Sequence, residues 1–242
     1  LLGIQDYSGQ GEALIGWLDS FCDARGKAAI ASAAVWFAPT VPLASFPKYA
    51  WKNDETYTAD LLVHHYGQKE LPAGTKIEWT IAGQGGAKQT GMLELAATVK
   101  PGSVAKVGAI AVPLASFPLN SRAELEVRVA GATDANRWPL WILPATIDAA
   151  VPANVVLTTS LDEAQAALKA GKNVLLQANG LGRPKKFVSG NWGAVYWSTT
   201  WFPGQGMQTL GLWLDQGHPA FGEFPVQAYG DWLWRDICAG GR

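Results

Sequence analysis

Lys76-Ile-Glu-Trp-Thr-Ile81 and Leu125-Glu-Val-Arg-Val129 alternate apolar with polar side chains. A period of two puts every second residue on one face of an extended strand, so both stretches read as half-buried β-strands. Working outward, the strands extend to Thr75–Ala82 and Ala123–Val129. Tyr57–His65, Gly91–Val99, Val104–Val112 and Trp138–Leu143 share their character, and Gly, Pro and Asn turns separate them.

Half a dozen short strands at this spacing predict an immunoglobulin-like antiparallel β-sandwich. The cysteine pair of antibody domains is absent, so the expectation is one of architecture alone. A repeat frames the module: Val41-Pro-Leu-Ala-Ser-Phe-Pro47 recurs unchanged as Val112-Pro-Leu-Ala-Ser-Phe-Pro118. The sandwich is assigned to residues 37–145.

Both flanks change period. Leu1 to Gln5 reads as the end of a buried strand, followed by a Gly-rich turn and a helix from about Glu12 to Arg25, closed by Gly26. Ala13, Leu14, Trp17, Leu18, Phe21 and Cys22 form its apolar stripe. One strand and one helix cannot bury that stripe alone, so residues 1–36 are expected to be an orphaned βα unit, one eighth of a (β/α)8 barrel. An opening without methionine fits a piece of a longer protein. After Pro144, Asn154–Thr158 reads as a strand and Ser160-Leu-Asp-Glu163 as a capping box. The helix it opens is expected to run to about Ala170, to stop at Gly171 and to lead into a parallel strand at Asn173–Gln177. Residues 146–242 are therefore read as a small α/β domain. Phe187 to Ile237, rich in Trp and Gly, receives no assignment.

Composition bounds the function. The chain has 242 residues, 48% hydrophobic and 16% charged, enough for two folded domains rather than a disordered chain. Nineteen basic against twenty acidic residues give no footprint for nucleic acid or an anionic membrane surface. No apolar run reaches the roughly 20 residues of a membrane span. Cys22 and Cys238 lie far apart and without ligand clusters, so they read as two unrelated structural thiols, with a disulfide as the alternative, and neither metal nor cofactor is expected. Twelve tryptophans are the anomaly: they can fill cores or stack on sugars.

Four stretches together resemble one family. They are Gly3-Ile-Gln-Asp-Tyr-Ser-Gly-Gln-Gly-Glu-Ala-Leu-Ile-Gly16, Lys48-Tyr-Ala-Trp-Lys-Asn-Asp-Glu-Thr-Tyr-Thr-Ala59, Asn136-Arg-Trp-Pro-Leu-Trp-Ile-Leu-Pro144 and Gly211-Leu-Trp-Leu-Asp-Gln-Gly-His-Pro-Ala-Phe-Gly-Glu-Phe-Pro225. In this order they resemble the C-terminal third of β-galactosidase-like enzymes of glycoside hydrolase family 2. The resemblance implies a parent that hydrolyses β-glycosides with retention, using two glutamates about 5 Å apart on barrel strands upstream of Leu1. This chain has no Asn-Glu dipeptide, the usual setting of the acid/base residue, so it is expected to hold no catalytic residue. The resemblance also implies that residues 1–36 are the last strand and helix of the barrel and that residues 146–242 are a Rossmann-like accessory domain. The chain's partners would be the upstream barrel and, through the parent, a carbohydrate; the resemblance implies a periplasmic or extracellular location. The alternative is a carbohydrate-binding module that uses exposed tryptophans.

Each candidate site residue has two readings. Gln5 and Asp6 fall where an eighth barrel strand meets the rim and could bind a sugar hydroxyl; Asp6 could equally hold the turn that follows. Trp192, Trp197 and Trp201, with Tyr196, could form a sugar platform if two rings were exposed and coplanar, or could pack between domains. His64 and His65, adjacent on a strand, point to opposite faces and cannot share a metal. His218, three residues after Asp215, reads as fixing its loop or, in a small α/β enzyme, as a base. Asp54, Glu55 and Asp60 read as a solvated rim. Trp232 and Trp234 read as core residues of a terminal strand or turn.

Overall fold

The computed structural model describes residues 27–132, 134–147, 150–177 and 212–235. The expected barrel strand and helix, and most of the stretch from Phe187 to Ile237, lie outside them. Among the described residues β-strands dominate, in antiparallel and mixed sheets, as in a β-sandwich. Two compact units divide the chain. One takes the residues up to Lys48, Glu55–Pro118 and Arg122–Leu140; the other takes Tyr49–Asp54, Leu119–Ser121 and the residues from Trp141 onward.

The first described element of the first unit is α1 (Lys27–Trp36), an alanine-rich helix absent from the expectations above. β1 (Thr40–Ser45), β3 (Thr56–His65) and β6 (Ser103–Pro113) form an antiparallel sheet with β3 in the centre. Leu61 faces Gly108 while Leu62 faces Lys106, which leaves Val107 as a bulge. The other sheet holds β4 (Lys76–Gly83) between β5 (Lys88–Glu94) and β7 (Ser121–Val129), with β8 (Asn136–Leu143) beside β7. Alternation decides burial: Tyr57, Ala59, Leu61 and Val63 face inward from β3, and Ala123, Leu125, Val127 and Val129 from β7. Asn136 ties the sheets together, its Nδ2 donating to the Pro42 carbonyl at 3.1 Å.

β5 begins and ends earlier than its expected span of Gly91–Val99. Val99 instead bridges Leu71 across the loop that follows. The repeated heptapeptide adopts two conformations. Val41 to Ser45 is strand, paired with β3. In the second copy only Val112 and Pro113 are strand, and the chain then turns, the Phe117 N–H donating to the Leu114 carbonyl at 3.0 Å. Tertiary setting, not local sequence, decides between them.

In the second unit β2 (Ala50–Lys52), too short to show in the alternation, runs parallel to the last residues of β8. Trp141 N–H donates to the Tyr49 carbonyl and Asn53 N–H to the Leu143 carbonyl, both at 2.9 Å. Pro139 lacks an N–H, and it precedes the residues of β8 that β2 pairs. β9 (Val155–Thr158), α2 (Leu161–Lys169) and β10 (Asn173–Leu176) form a βαβ unit with parallel strands. Ser160 caps α2 by accepting from Glu163 N–H at 3.3 Å, and the Glu163 carboxylate accepts from the Thr158 hydroxyl. At the far end Gly171 takes φ +74°, and the Lys172 and Gly171 N–H groups donate to the Ala167 and Leu168 carbonyls, closing a Schellman motif. A Rossmann-like sheet beyond these two strands is not seen among the described residues.

Candidate functional site

Residues 212–235 build the aromatic centre of the second unit. Gly230 N–H donates to the Leu212 carbonyl at 2.6 Å and Leu214 N–H to the Ala228 carbonyl at 2.8 Å, so Trp213 and Tyr229 face each other in an antiparallel bridge. Alternation turns Leu212 and Leu214 inward and Trp213 outward. The inward pair packs on a core of Trp141, Leu233 and Trp234, joined by Tyr49, Ala50, Leu143, Phe221, Phe224 and Val226. Phe221 and Phe224 meet Trp234 edge-on, with centroids 5.8 and 5.7 Å away.

Outward, Trp213 is 74% and Tyr229 67% exposed, their rings perpendicular with centroids 4.9 Å apart. That geometry is an edge-to-face pair rather than a coplanar platform. Trp232 is 45% exposed and stacks on Tyr49. It lies in a 3-10 turn with Trp234, so of the two tryptophans expected in the core only Trp234 is buried. Burial raises the Tyr49 phenol above its usual range, and the nearby Arg235 charge lowers it in part.

A cleft of about 290 Å³ opens in the same unit, lined by Leu143, Pro144, Ile147, Phe221 and Phe224 with Asn120 and Glu223. Asn120 Nδ2 lies 3.5 Å from Glu223 Oε2. Asn120 is the one non-glycine residue at positive φ (49°) among the described residues. Sequence reasoning passed over Asn120 and Glu223, because nothing local joins positions so remote. It also passed over the outward face of Trp213, although the flanking Leu212 and Leu214 carry that signal.

Gln5, Asp6, Trp192, Trp197 and Trp201, with Tyr196, Cys22 and Cys238, lie outside the described residues. The histidines have structural partners. His65 is buried, Nδ1 2.7 Å from the Thr40 hydroxyl and Nε2 2.7 Å from the Lys69 carbonyl. Since Nε2 must donate to a carbonyl, Nδ1 accepts from Thr40. His64, on the other face, packs edge-on against Tyr66. His218 Nδ1 accepts from Ala220 N–H at 3.1 Å, so the ring caps a turn, and the His218 backbone N–H donates to the Asp215 carbonyl at 3.1 Å. Glu55 takes Lys48 at 2.6 Å and Asp60 takes Lys106 at 2.8 Å.

On β7 and β8, Glu126 accepts from Arg137 at 2.6 Å and from Arg128 at 2.9 Å. Burial pushes its carboxyl upward, but the hydrogen bonds and charges of the two arginines outweigh this and hold it below the usual value. Among the described residues no group of three or more His, Cys, Asp or Glu could hold a metal ion. No described helix is long and apolar enough to cross a membrane.

Residues 55–144 match the family described as Domain of unknown function (DUF8488), and residues 156–242 match Domain of unknown function (DUF8487). No curated protein matches the sequence. Among solved structures, sporulation control protein Spo0M from Bacillus subtilis is similar with a TM-score of 0.31 and 11% identity over 44% of this chain. Bacteroides uniformis β-glucuronidase 2, a glycoside hydrolase, shows a weak likeness with a TM-score of 0.28 and 16% identity over 40% of this chain. The chain spans 50% of the length of Spo0M and 12% of that of the β-glucuronidase.

Proposed function

We propose that the chain is the non-catalytic C-terminal part of a family 2-like glycoside hydrolase acting on β-glycosides, with a scaffolding role. One observation carries the reading. Of the four stretches that resemble that family, the three among the described residues converge on one core. Tyr49 and Ala50 come from the second stretch, Trp141 and Leu143 from the third, and Leu212, Leu214, Phe221 and Phe224 from the fourth. Their shared residues are engaged in packing rather than in presenting acids or nucleophiles, which is what an accessory region that braces a catalytic barrel requires. On this reading residues 1–36 close the barrel, 37–145 form an immunoglobulin-like module and 146–242 a Rossmann-like accessory domain.

Assaying the 242-residue chain and a version extended upstream on 4-nitrophenyl β-glycosides tests the proposal. The chain alone should be inert and the extended protein active. Hydrolysis by the chain alone at the rate of the extended protein would overturn it.

A further inference from the structure

We propose that the cleft with its apolar bed of Pro144, Ile147, Phe221 and Phe224 and its polar edge of Asn120 and Glu223 binds one neutral hexopyranose ring. The inference goes beyond the scaffold role and does not depend on it. At about 290 Å³ the cleft sits at the small end of ligand pockets, with room for one ring rather than an oligosaccharide. Its bed is pre-formed. Phe221 and Phe224 are wedged against Trp234, and the turn between them is closed by Phe224 N–H donating to the Phe221 carbonyl at 2.8 Å across Gly222 at φ +52°. Ile147 is 75% exposed, a large apolar side chain left at the mouth.

The edge explains the choice of ligand. Asn120 sits in a turn at a left-handed φ that asparagine tolerates, and its amide is directed at Glu223. That contact uses Glu223 Oε2. Glu223 Oε1 and Asn120 Oδ1 are left as acceptors for ligand donors. An anion would meet the carboxylate, and a purely apolar ligand would leave both oxygens without a ligand donor. A hexopyranose offers a C–H face to the bed and adjacent hydroxyls to the two oxygens.

The test titrates the 242-residue chain with methyl β-glucopyranoside, methyl β-galactopyranoside, methyl β-glucuronide and choline, read by ¹H–¹⁵N spectra. At least one neutral glycoside should saturate in the range of about 1–10 mM and shift the Asn120 side-chain amide signals. The glucuronide should bind at least about tenfold more weakly. Glu223→Gln and Asn120→Gly, the latter keeping the positive φ, should each lose about tenfold in affinity, and Trp213→Ala should lose none. Thermal unfolding of each variant verifies that it folds. No saturation by a neutral glycoside up to about 100 mM would overturn the assignment. Binding that fails with Trp213→Ala but survives Glu223→Gln, or tighter binding of choline than of either sugar, would do the same.

Discussion

The rings of Tyr49 and Trp232 lie 5.1 Å apart and 6° from parallel. They fasten the segment before β2 to the final turn of the described chain. A stacked aromatic pair is worth about 0.5–1.5 kcal/mol beyond its buried area. A double-mutant cycle of Tyr49→Leu and Trp232→Leu, read by denaturant unfolding, should return a coupling in that range. Coupling near zero would mean that the stack adds nothing. Tyr49 also makes an alkaline prediction. Its folded-state phenol titrates above the usual 10.0 because of burial, partly offset by Arg235. Its contribution to stability is therefore complete below about pH 10 and is lost as pH rises through the folded-state value. Tyr49→Phe should flatten the fall in melting temperature above pH 10.

Trp141 is fully buried at the meeting point of the three family-like stretches, and its indole Nε1 has no hydrogen-bond partner among the described residues. Packing rather than polarity must then explain its presence. Trp141→Ala should cost about 3–5 kcal/mol. Trp141→Phe gives up volume but also relieves a desolvated N–H, so about 1–2 kcal/mol is expected. Equal losses for the two variants in urea unfolding would point to a hydrogen bond that matters.

Gly91 on β5 pairs with Trp79 on β4, and a Cβ there would collide with the Trp79 indole. The ring occupies the space that the missing side chain leaves. Gly91→Ala should cost about 1–3 kcal/mol through overpacking. Gly74 differs: it has open space but φ +79°, so Gly74→Ala should cost about 1 kcal/mol through the backbone alone. Circular-dichroism melts of both variants would separate the two origins, and a neutral Gly91→Ala would refute the steric account.

Strand patterns in the sequence were informative where one face meets the core. β4 and β7 lie within a residue or two of their expected spans, and the capping box at Ser160 forms α2 as its spacing requires. β1 escaped notice because Val41-Pro-Leu-Ala-Ser45 does not alternate, and the same residues turn away after Pro113. The pair Asn120–Glu223 was illegible for a different reason: its partners meet only after the chain has folded. Trp213 could have been assigned outward from Leu212 and Leu214, whereas the sugar-contact residues chosen from sequence fall outside the described chain.

Glu126 gives the acid-side prediction. Burial would raise its carboxyl, but Arg137 and Arg128 hold it below the ordinary 4.5, so the folded state binds this proton less readily than the unfolded chain. Its stabilisation is present above about pH 4.5 and is lost as pH falls through the lower folded-state value. The side chain is about a third exposed, so the network is worth about 0.5–1 kcal/mol at neutral pH and low salt. Glu126→Gln should remove that amount at pH 7 and reduce the slope of stability against pH below 4.5. About 1 M NaCl should narrow the gap between the two proteins, since partly exposed pairs are screened. A Glu126→Gln protein with unchanged neutral stability and an unchanged acid slope would show that the two arginines only decorate the sheet.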